Sequence, residues 1–514
     1  MIHLDLEDTS YESDIRELTM AFFPPREAED KEITVRLLVR RENPPGEETA
    51  AAPSKVGEAV GAEEVSLERA PEGGRHTAFH GPAAVRFEAA ADGEDPRTSQ
   101  EITVEDYGDR FQAKSAIKRL LYDTLSAMTG KRLPWGTLTG IRPTKIAMGL
   151  LKDGMGGEDA AALMEREYYT SPEKAALCAD IAAREMEILR PLDCERGYSL
   201  YVGIPFCPTT CLYCSFTSYP IGLWRDRMDE YLGALCREMD YVAGKMAGRP
   251  LDTVYFGGGT PTSLDAGDLD RLLCHLEKMF PMDRVLELTV EAGRPDSITA
   301  EKLKVLKSHG VTRISINPQT MNQKTLDLIG RRHTVEMVEE SFHMARDLGF
   351  DNINMDLILG LPEETTDDVA KTMERVRALA PDSLTVHSLA IKRAARLNMF
   401  KEQYGALRIV NTQEMIDLTA ACAKDMGLAP YYMYRQKNMA GNFENVGYAA
   451  PGKACIYNIL IMEERQTIAA CGAGTTTKVL YPAENRLERA ENVKNVEQYI
   501  GRLEEMLERK ERLL

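Results

Sequence analysis

Apolar and polar positions follow a repeating order between residues 199 and 391. Six short runs are rich in β-branched and aromatic residues: SLYVGIPF (199–206), DTVYFGG (252–258), LELTVEA (286–292), RISINPQ (313–319), NINMDLIL (352–359) and SLTVHSLA (383–390). Stretches with helical period separate them, among them 228–242, 269–280 and 335–349. Strand–helix alternation of this kind predicts a parallel sheet with helical crossovers. Several runs are apolar on both faces, as a sheet covered by helices requires. Six units rather than eight predict an α/β fold built on a partial (β/α)6 barrel.

The flanks read differently. The first 190 residues contain a strand at ITVRLLV (33–39), a helix near 116–128, the aperiodic segment WGTLTGIRPTKIA (135–147), and Ala- and Glu-rich helices up to Leu189. Residues 42–74 are rich in Pro, Gly, Ala and Glu, which predicts an exposed loop without a core. Residues 396–514 contain a helix near 412–427, a Tyr- and Asn-rich segment (430–449), a Gly-rich turn CGAGTTTK (471–478) and a terminal amphipathic helix. A chain of 514 residues exceeds one ordinary core. The expected organisation is an α+β accessory domain at 1–190, the barrel at 191–395, and an α/β extension at 396–514 on the substrate side.

Composition narrows the function. The net charge of −18 disfavours nucleic acid and anionic membranes as partners. No run approaches the ~18 apolar residues of a membrane span. The opening MIHLDLEDTSYESD lacks a signal-peptide pattern, so a reducing, cytoplasmic location is expected. Ten cysteines there read as thiols or metal ligands rather than disulfides.

Parallel α/β folds carry chemistry at the carboxyl ends of their strands. Cys207, Cys211 and Cys214, spaced C-x3-C-x2-C, follow the first run, and Gly257–Thr260 (GGGT) follows the second. Glu291 and Gln319 end the third and fourth; Asp356 lies within the fifth; Ala390 ends the sixth, just before Lys392, Arg393 and Arg396. Three thiolates on one loop hold either a structural zinc with a distant fourth ligand or an iron–sulfur cluster with one iron left open. No paired C-x2-C or H-x3-H lies downstream, which favours the cluster. The open iron then suits a chelating small molecule. The GGGT run lets backbone approach that ligand and offers free N–H and C=O groups to an amino acid's ammonium and carboxylate. Glu291 and Asp356 serve either as ordinary caps and ion pairs or as acceptors for ribose hydroxyls. His333 and His387 read as core or rim hydrogen-bonders. Cys178, Cys194, Cys236, Cys274 and Cys422 read as small apolar residues on helices, and Cys455 and Cys471 are too few for a second cluster.

YVGIPFCPTTCLYCSF, VYFGGGTPTSL, TVEAGRPD, SINPQT, LIGRRHT and NMDLILGLPEET resemble the oxygen-independent coproporphyrinogen III oxidase family of the radical S-adenosylmethionine (SAM) superfamily. WGTLTGIRPTK and YRQKNMAGNFENVGYA resemble its coproporphyrinogen dehydrogenase (HemZ-like) branch. The resemblance implies that Cys207, Cys211 and Cys214 hold a 4Fe–4S cluster whose fourth iron binds SAM. It implies that Tyr201, Tyr213, Gly258, Gly259, Thr260, Glu291, Gln319, Arg331, Asp356 and Ala390 contact that cofactor or a second copy, with Thr476 as a further contact. The radical formed from SAM would take hydrogen from a porphyrinogen propionate; loss of carbon dioxide and one electron leaves a vinyl group, with no side chain acting as acid or base. An unidentified protein or small molecule would donate electrons. A substrate with several propionates needs cations, and Lys392, Arg393 and Arg396, with Arg435 and Lys437, stand as candidates beside the plainer reading of a solvated basic loop.

Two departures stand out. Family decarboxylases carry a further cysteine two residues after the third; here that residue is Phe216. Heme-chaperone relatives carry HN-x-x-YW in the C-terminal part; here Cys455-Ile-Tyr-Asn458 occurs and that motif does not. A heme-binding or heme-trafficking role is therefore the alternative to decarboxylation.

Overall fold

A computed structural model of the chain describes residues 1–24, 31–41, 80–92, 98–392, 394–436, 443–484 and 486–514. The expected loop at 42–74, Arg393 and Lys437 lie outside the described residues. Contacts divide the chain into two compact units, residues 1–139 with 161–175, and residues 140–160 with 176–514. The division differs from the three parts read from sequence, because residues 396–514 share a unit, and a sheet, with the barrel strands.

The smaller unit is a four-stranded sheet in the order β1 (Ile2–Leu6), β2 (Ile33–Arg41), β3 (Ala83–Ala91), β4 (Thr98–Val104). β1 and β2 are parallel; the other pairs are antiparallel. Alternate residues Ile33, Val35 and Leu37 of β2 and Val85 and Phe87 of β3 are fully buried, the half-apolar pattern of a sheet packed on one face. They share a core with Ile15, Leu18 and Phe22 of helix Glu12–Phe22 and with Ile117, Leu121 and Leu125 of helix Arg110–Thr129. The second helix starts six residues before the expected 116 because Asp109 caps it, accepting from the Phe111 and Gln112 amides.

In the larger unit all six predicted runs are strands: β5 (Tyr198–Ile204), then, after the short pair β6 (Phe206–Cys207) and β7 (Tyr219–Pro220), β8 (Leu251–Gly258), β9 (Glu287–Gly293), β10 (Arg313–Ile316), β11 (Ile353–Leu359) and β12 (Ser383–Ser388). They lie parallel in sequence order, β5-β8-β9-β10-β11-β12. This is the partial (β/α)6 barrel, with helices Met228–Lys245, Ala266–Met279, Ala300–Ser308, Val335–Asp347 and Thr366–Leu379 as crossovers. Thr299, Thr334 and Thr365 each cap the helix they precede by accepting a backbone N–H, a contact worth about 1 kcal/mol. β10 ends at Ile316, short of its sequence run, where the register with β9 shifts and Pro318 has no amide hydrogen to donate; beyond it Gln319 adopts φ 68°. There its N–H donates to the Asp356 carbonyl and its carbonyl accepts from Ile358, so the bent segment stays tied to β11.

The C-terminal extension widens the sheet on both sides. β13 (Ala429–Tyr434) and β14 (Asn445–Ala449) add antiparallel strands beyond β12. β15 (Thr467–Cys471) returns to pair in parallel with β5, followed by antiparallel β16 (Thr476–Tyr481) and β17 (Arg486–Glu491). The terminal amphipathic segment is two helices, Val496–Gly501 and Leu503–Glu511. They are tied to helix Met228–Lys245 through Glu238, a buried carboxylate that accepts from Lys510 Nζ (2.7 Å), Tyr499 Oη (2.6 Å), Asn492 Nδ2 (2.7 Å) and the Gly472 amide (2.7 Å). Among the described residues no helix is long and apolar enough to cross a membrane.

Candidate functional site

A cavity of about 340 Å³ opens at the carboxyl ends of the barrel strands. Cys207, Cys211, Cys214, Tyr213, Gly258, Gly259, Thr260, Glu291, Gln319, Arg331, Asp356, Ala390 and Lys392 all line it, so the fold gathers most of the residues singled out in the sequence. Tyr201 and Arg396 are not among its lining residues. Tyr201 stands opposite Tyr255 in the β5–β8 register, and the two rings stack at 6.0 Å, with Tyr457 stacked on Tyr255 at 4.5 Å. It is Tyr255 that reaches the cavity. Arg396 lies against the Phe400 ring, 5.9 Å from its centroid. Arg435 is buried, with its amide bonded to the Ile141 carbonyl, and Thr476 pairs with Glu491 in β16; neither lines the cavity.

The cysteine loop is held from beneath by the glycine run. Gly259 N–H donates to the Ile204 carbonyl (2.8 Å) and Thr260 N–H to the Phe206 carbonyl (2.7 Å). These amides are therefore not free for a ligand, contrary to the sequence expectation. The glycines serve instead to let the loop pass: a Cβ on Gly259 would lie 2.6 Å from the Phe206 oxygen, and Gly258 has φ 108°. Thr260 Oγ1 lies 3.4 Å from Cys207 Sγ.

Two buried arginines flank Cys211. Arg294, 2% exposed, donates to the Thr209 carbonyl and hydroxyl at 3.0 and 2.8 Å and comes within 3.8 Å of Cys211 Sγ. Asp296 holds its guanidinium through two bonds of 2.9 and 2.6 Å. Arg331 donates to the Asn317 carbonyl and stands beside Cys211 and Tyr213. Burial pushes the Cys207 thiol up to about 11 and raises Cys214 as well. Metal binding would remove those protons, and the two guanidiniums would offset the thiolate charge.

The wall facing the cysteines is polar at every second residue. Arg313, Ser315, Asn317 and Gln319 on and after β10, Asn354 and Asp356 on β11, and Thr385 and His387 on β12 all line the cavity. Ser315 Oγ, Asn317 Oδ1, Gln319 Oε1, Asn445 Nδ2 and Arg331 Nε are buried without a hydrogen-bond partner among the described residues. Each such group costs about 1–3 kcal/mol if left unmet, so the wall is built for a ligand with several polar atoms. Tyr255 Oη donates to Glu291 Oε1 (2.6 Å), and burial, reinforced by Asp356, lifts the Glu291 carboxyl to about 7. Asp356 accepts from Asn354 Nδ2 (2.7 Å) and lies 4.0 Å from His387 Nε2; the other His387 nitrogen is 3.4 Å from Tyr434 Oη. Carboxylates, amides and aromatic rings around one cavity suit a zwitterionic ligand bearing a sugar and a base.

Tyr255, Arg294, Asn317 and Asn354 were not singled out in the sequence; for Asn317 and Asn354 the signal was polar residues recurring with period two inside their runs. Phe216 stands at the mouth, 71% exposed, with Lys392 Nζ 5.8 Å from its ring centroid. The GIRPTK segment has its role here: Arg142 pairs with Glu464 (2.6 Å) and donates to the Met462 carbonyl, while Thr144 Oγ1 donates to Glu463 (2.8 Å). These contacts hold the end of helix Ile456–Met462, whose Asn458 and Met462 line the cavity. Its start is held by Glu287, which accepts from the Ile456 amide (2.7 Å) and the buried Cys455 thiol (3.2 Å).

Residues 201–376 match the Radical SAM superfamily. Over 403 residues, 78% of this chain and 80% of the relative, the sequence is 41% identical to the oxygen-independent coproporphyrinogen-III oxidase-like protein HemZ of Bacillus subtilis. It is 40% identical to the heme chaperone HemW of the same organism over 38% of this chain and 51% of that protein. It is 35% identical to the oxygen-independent coproporphyrinogen III oxidase of Escherichia coli over 38% and 42%. The solved structure of coproporphyrinogen III oxidase (HemN) from Escherichia coli aligns with a TM-score of 0.49 and 25% identity, covering 62% of this chain and 72% of that one. Radical SAM proteins use a 4Fe–4S cluster and SAM, and the thiol loop and polar wall fit both. On the 41% identity shared over four fifths of HemZ, the chain belongs to the oxygen-independent coproporphyrinogen III oxidase-like family of radical SAM proteins.

Proposed function

We propose that this chain converts coproporphyrinogen III to protoporphyrinogen IX without oxygen, decarboxylating two propionates to vinyl groups. The observation that carries the reading is the cavity in which a three-thiol loop faces a wall of unpartnered buried polar atoms. It is supported by identity to a relative named coproporphyrinogen-III oxidase-like over most of its length.

In this reading Cys207, Cys211 and Cys214 would hold a 4Fe–4S cluster, with SAM bound beside it in the cavity. Together they would supply the radical chemistry that removes hydrogen from the propionate β-carbon. The chain's own side chains position and shield. Arg294 and Arg331 balance the charge of the thiolate loop. Glu291, Gln319 and Asp356 accept from the hydroxyls and amines of SAM, and Tyr213, Gly258, Gly259, Thr260 and Ala390 shape its bed. Tyr255 orients Glu291, with Tyr201 stacked behind it. Lys392 meets substrate carboxylates at the mouth. An external electron donor is required to reduce the cluster, and an external electron acceptor must take the electron released with each carbon dioxide. The reducing cytoplasm suits the thiols.

One observation favours a second reading. Phe216 presents an exposed ring where family decarboxylases carry a cysteine, in keeping with a heme chaperone that is 40% identical over 195 residues. The chain would then bind or deliver heme without decarboxylation. Anaerobic incubation of reconstituted protein with reductant, SAM and coproporphyrinogen III decides between them. Protoporphyrinogen formation supports the enzyme, and stoichiometric heme binding without turnover supports the carrier. Failure to assemble iron and sulfide removes both.

A further inference from the structure

We propose that Asp270, Cys274 and His309 form a second metal site, remote in chemistry from the cysteine loop, that takes a single Zn2+ or similar transition-metal ion. The sequence reading of Cys274 as a small apolar residue, buried or half-buried on its helix, does not hold, because Cys274 is exposed. Helix Ala266–Met279 carries Asp270 and Cys274 one turn apart, so both side chains project from one face. His309 directly follows the next crossover helix, Ala300–Ser308, and brings its ring to that face. One ligand atom from each of the three residues lies within 4.8 Å of the other two.

The arrangement around the histidine adds an independent sign. His309 Nε2 lies 3.0 Å from Asp270 Oδ1, on the side of the donor set. Its other nitrogen, Nδ1, lies 2.8 Å from Glu277 Oε1. Metal-binding histidines are commonly oriented in this way, with the far ring N–H donating to a carboxylate that fixes the tautomer. Glu277 sits three residues beyond Cys274 on the same helix face, so one helix supplies two ligands and the orienting group. The His309 side chain is largely buried, so its ring is already placed before an ion arrives.

The donor chemistry selects the ion. One imidazole nitrogen, one thiolate sulfur and one carboxylate oxygen, with water in the fourth place, suit tetrahedral zinc or cobalt. Calcium and magnesium require oxygen ligands throughout and are excluded. Binding releases the thiol proton and any proton on Nε2 to solvent, with no change of oxidation state. The ion would join two successive crossover helices outside the cavity.

The test uses anaerobically reconstituted holoprotein, with the cluster cysteines occupied by iron. Titration with zinc chloride, followed by desalting and metal analysis, is expected to leave one zinc per chain without loss of iron. Cys274→Ser and His309→Ala should each weaken zinc at least tenfold, and Glu277→Gln by about tenfold. Cobalt should give a tetrahedral visible spectrum that Cys274→Ser abolishes. Circular dichroism without zinc confirms that each variant folds. The proposal fails if wild type retains no more zinc than the Cys274→Ser/His309→Ala double variant, or if zinc is taken up only as iron is lost.

Discussion

Tyr255 donates its phenolic hydrogen to Glu291 across 2.6 Å, and this contact holds a carboxyl whose ionisation burial has moved up to about 7. Because the folded value lies above the ordinary 4.5, the free protein keeps that proton near neutrality. Its contribution to folding is lost as pH rises through about 7. A bound sulfonium with ribose hydroxyl donors favours the ionised form, so cofactor binding runs the other way. SAM affinity should rise about tenfold between pH 6 and pH 8, and Glu291→Gln should flatten the profile. Calorimetry across that range checks it; an unchanged slope in the variant removes Glu291 from the cofactor site.

Replacing any loop cysteine should abolish the cluster. Anaerobically reconstituted wild type should hold about four iron and four sulfide per chain, and Cys214→Ala close to none. Cys455→Ala should keep the full complement, since its thiol is bonded to Glu287 rather than placed in the cavity. Iron and sulfide analysis separates the outcomes.

Gly259→Ala forces a methyl group to within 2.6 Å of the Phe206 carbonyl, on the backbone that carries the cysteines. A loss of about 1–3 kcal/mol in denaturant stability is expected, together with reduced iron content. Normal cluster assembly in this variant would show that the loop tolerates displacement.

The Lys510–Glu238 pair is buried on both sides, with side-chain exposures of 1% and 0%. Lys510→Met leaves the carboxylate with its neutral donors only and should cost about 3–5 kcal/mol. Urea unfolding monitored by circular dichroism measures it, and a cost under about 1 kcal/mol would mean that Glu238 takes up a proton instead.

Phe216→Ala and Lys392→Glu test the mouth. Each should weaken binding of coproporphyrin III at least fivefold in fluorescence titrations, and Phe216→Trp should retain it, since a ring face is preserved. Equal affinity in all three would move the tetrapyrrole elsewhere.

The barrel was legible because its strands are short, β-branched runs between helical periods, and all six were located. The cysteines, Glu291, Gln319 and Asp356 could be placed at the cavity by the rule that chemistry lies at carboxyl ends. What the pattern hid was the inward face. Ser315, Asn317, Asn354 and Thr385 alternate with apolar residues in their runs, and only a curled sheet turns that alternation into a polar interior. Tyr201 and Tyr255 look equivalent as letters; only their register and stacking show which reaches the cavity. The glycine amides were misjudged because a run of glycines reveals a close approach but not whether the neighbour is ligand or loop. Cys274 was read as a buried or half-buried apolar residue because it lies on a helix, yet the helix turns it to solvent, with His309 brought near from the end of the next crossover helix.

The pairing of β15 with β5 has a consequence for biosynthesis. The strand that leads into the cysteine loop is made before residue 205, yet its second neighbour is not complete until residue 471 has been synthesised. On the ribosome that strand keeps one open edge until β15 emerges. A chain ended before residue 467 would therefore carry every cysteine of the loop on a sheet that lacks one of the two strands flanking β5.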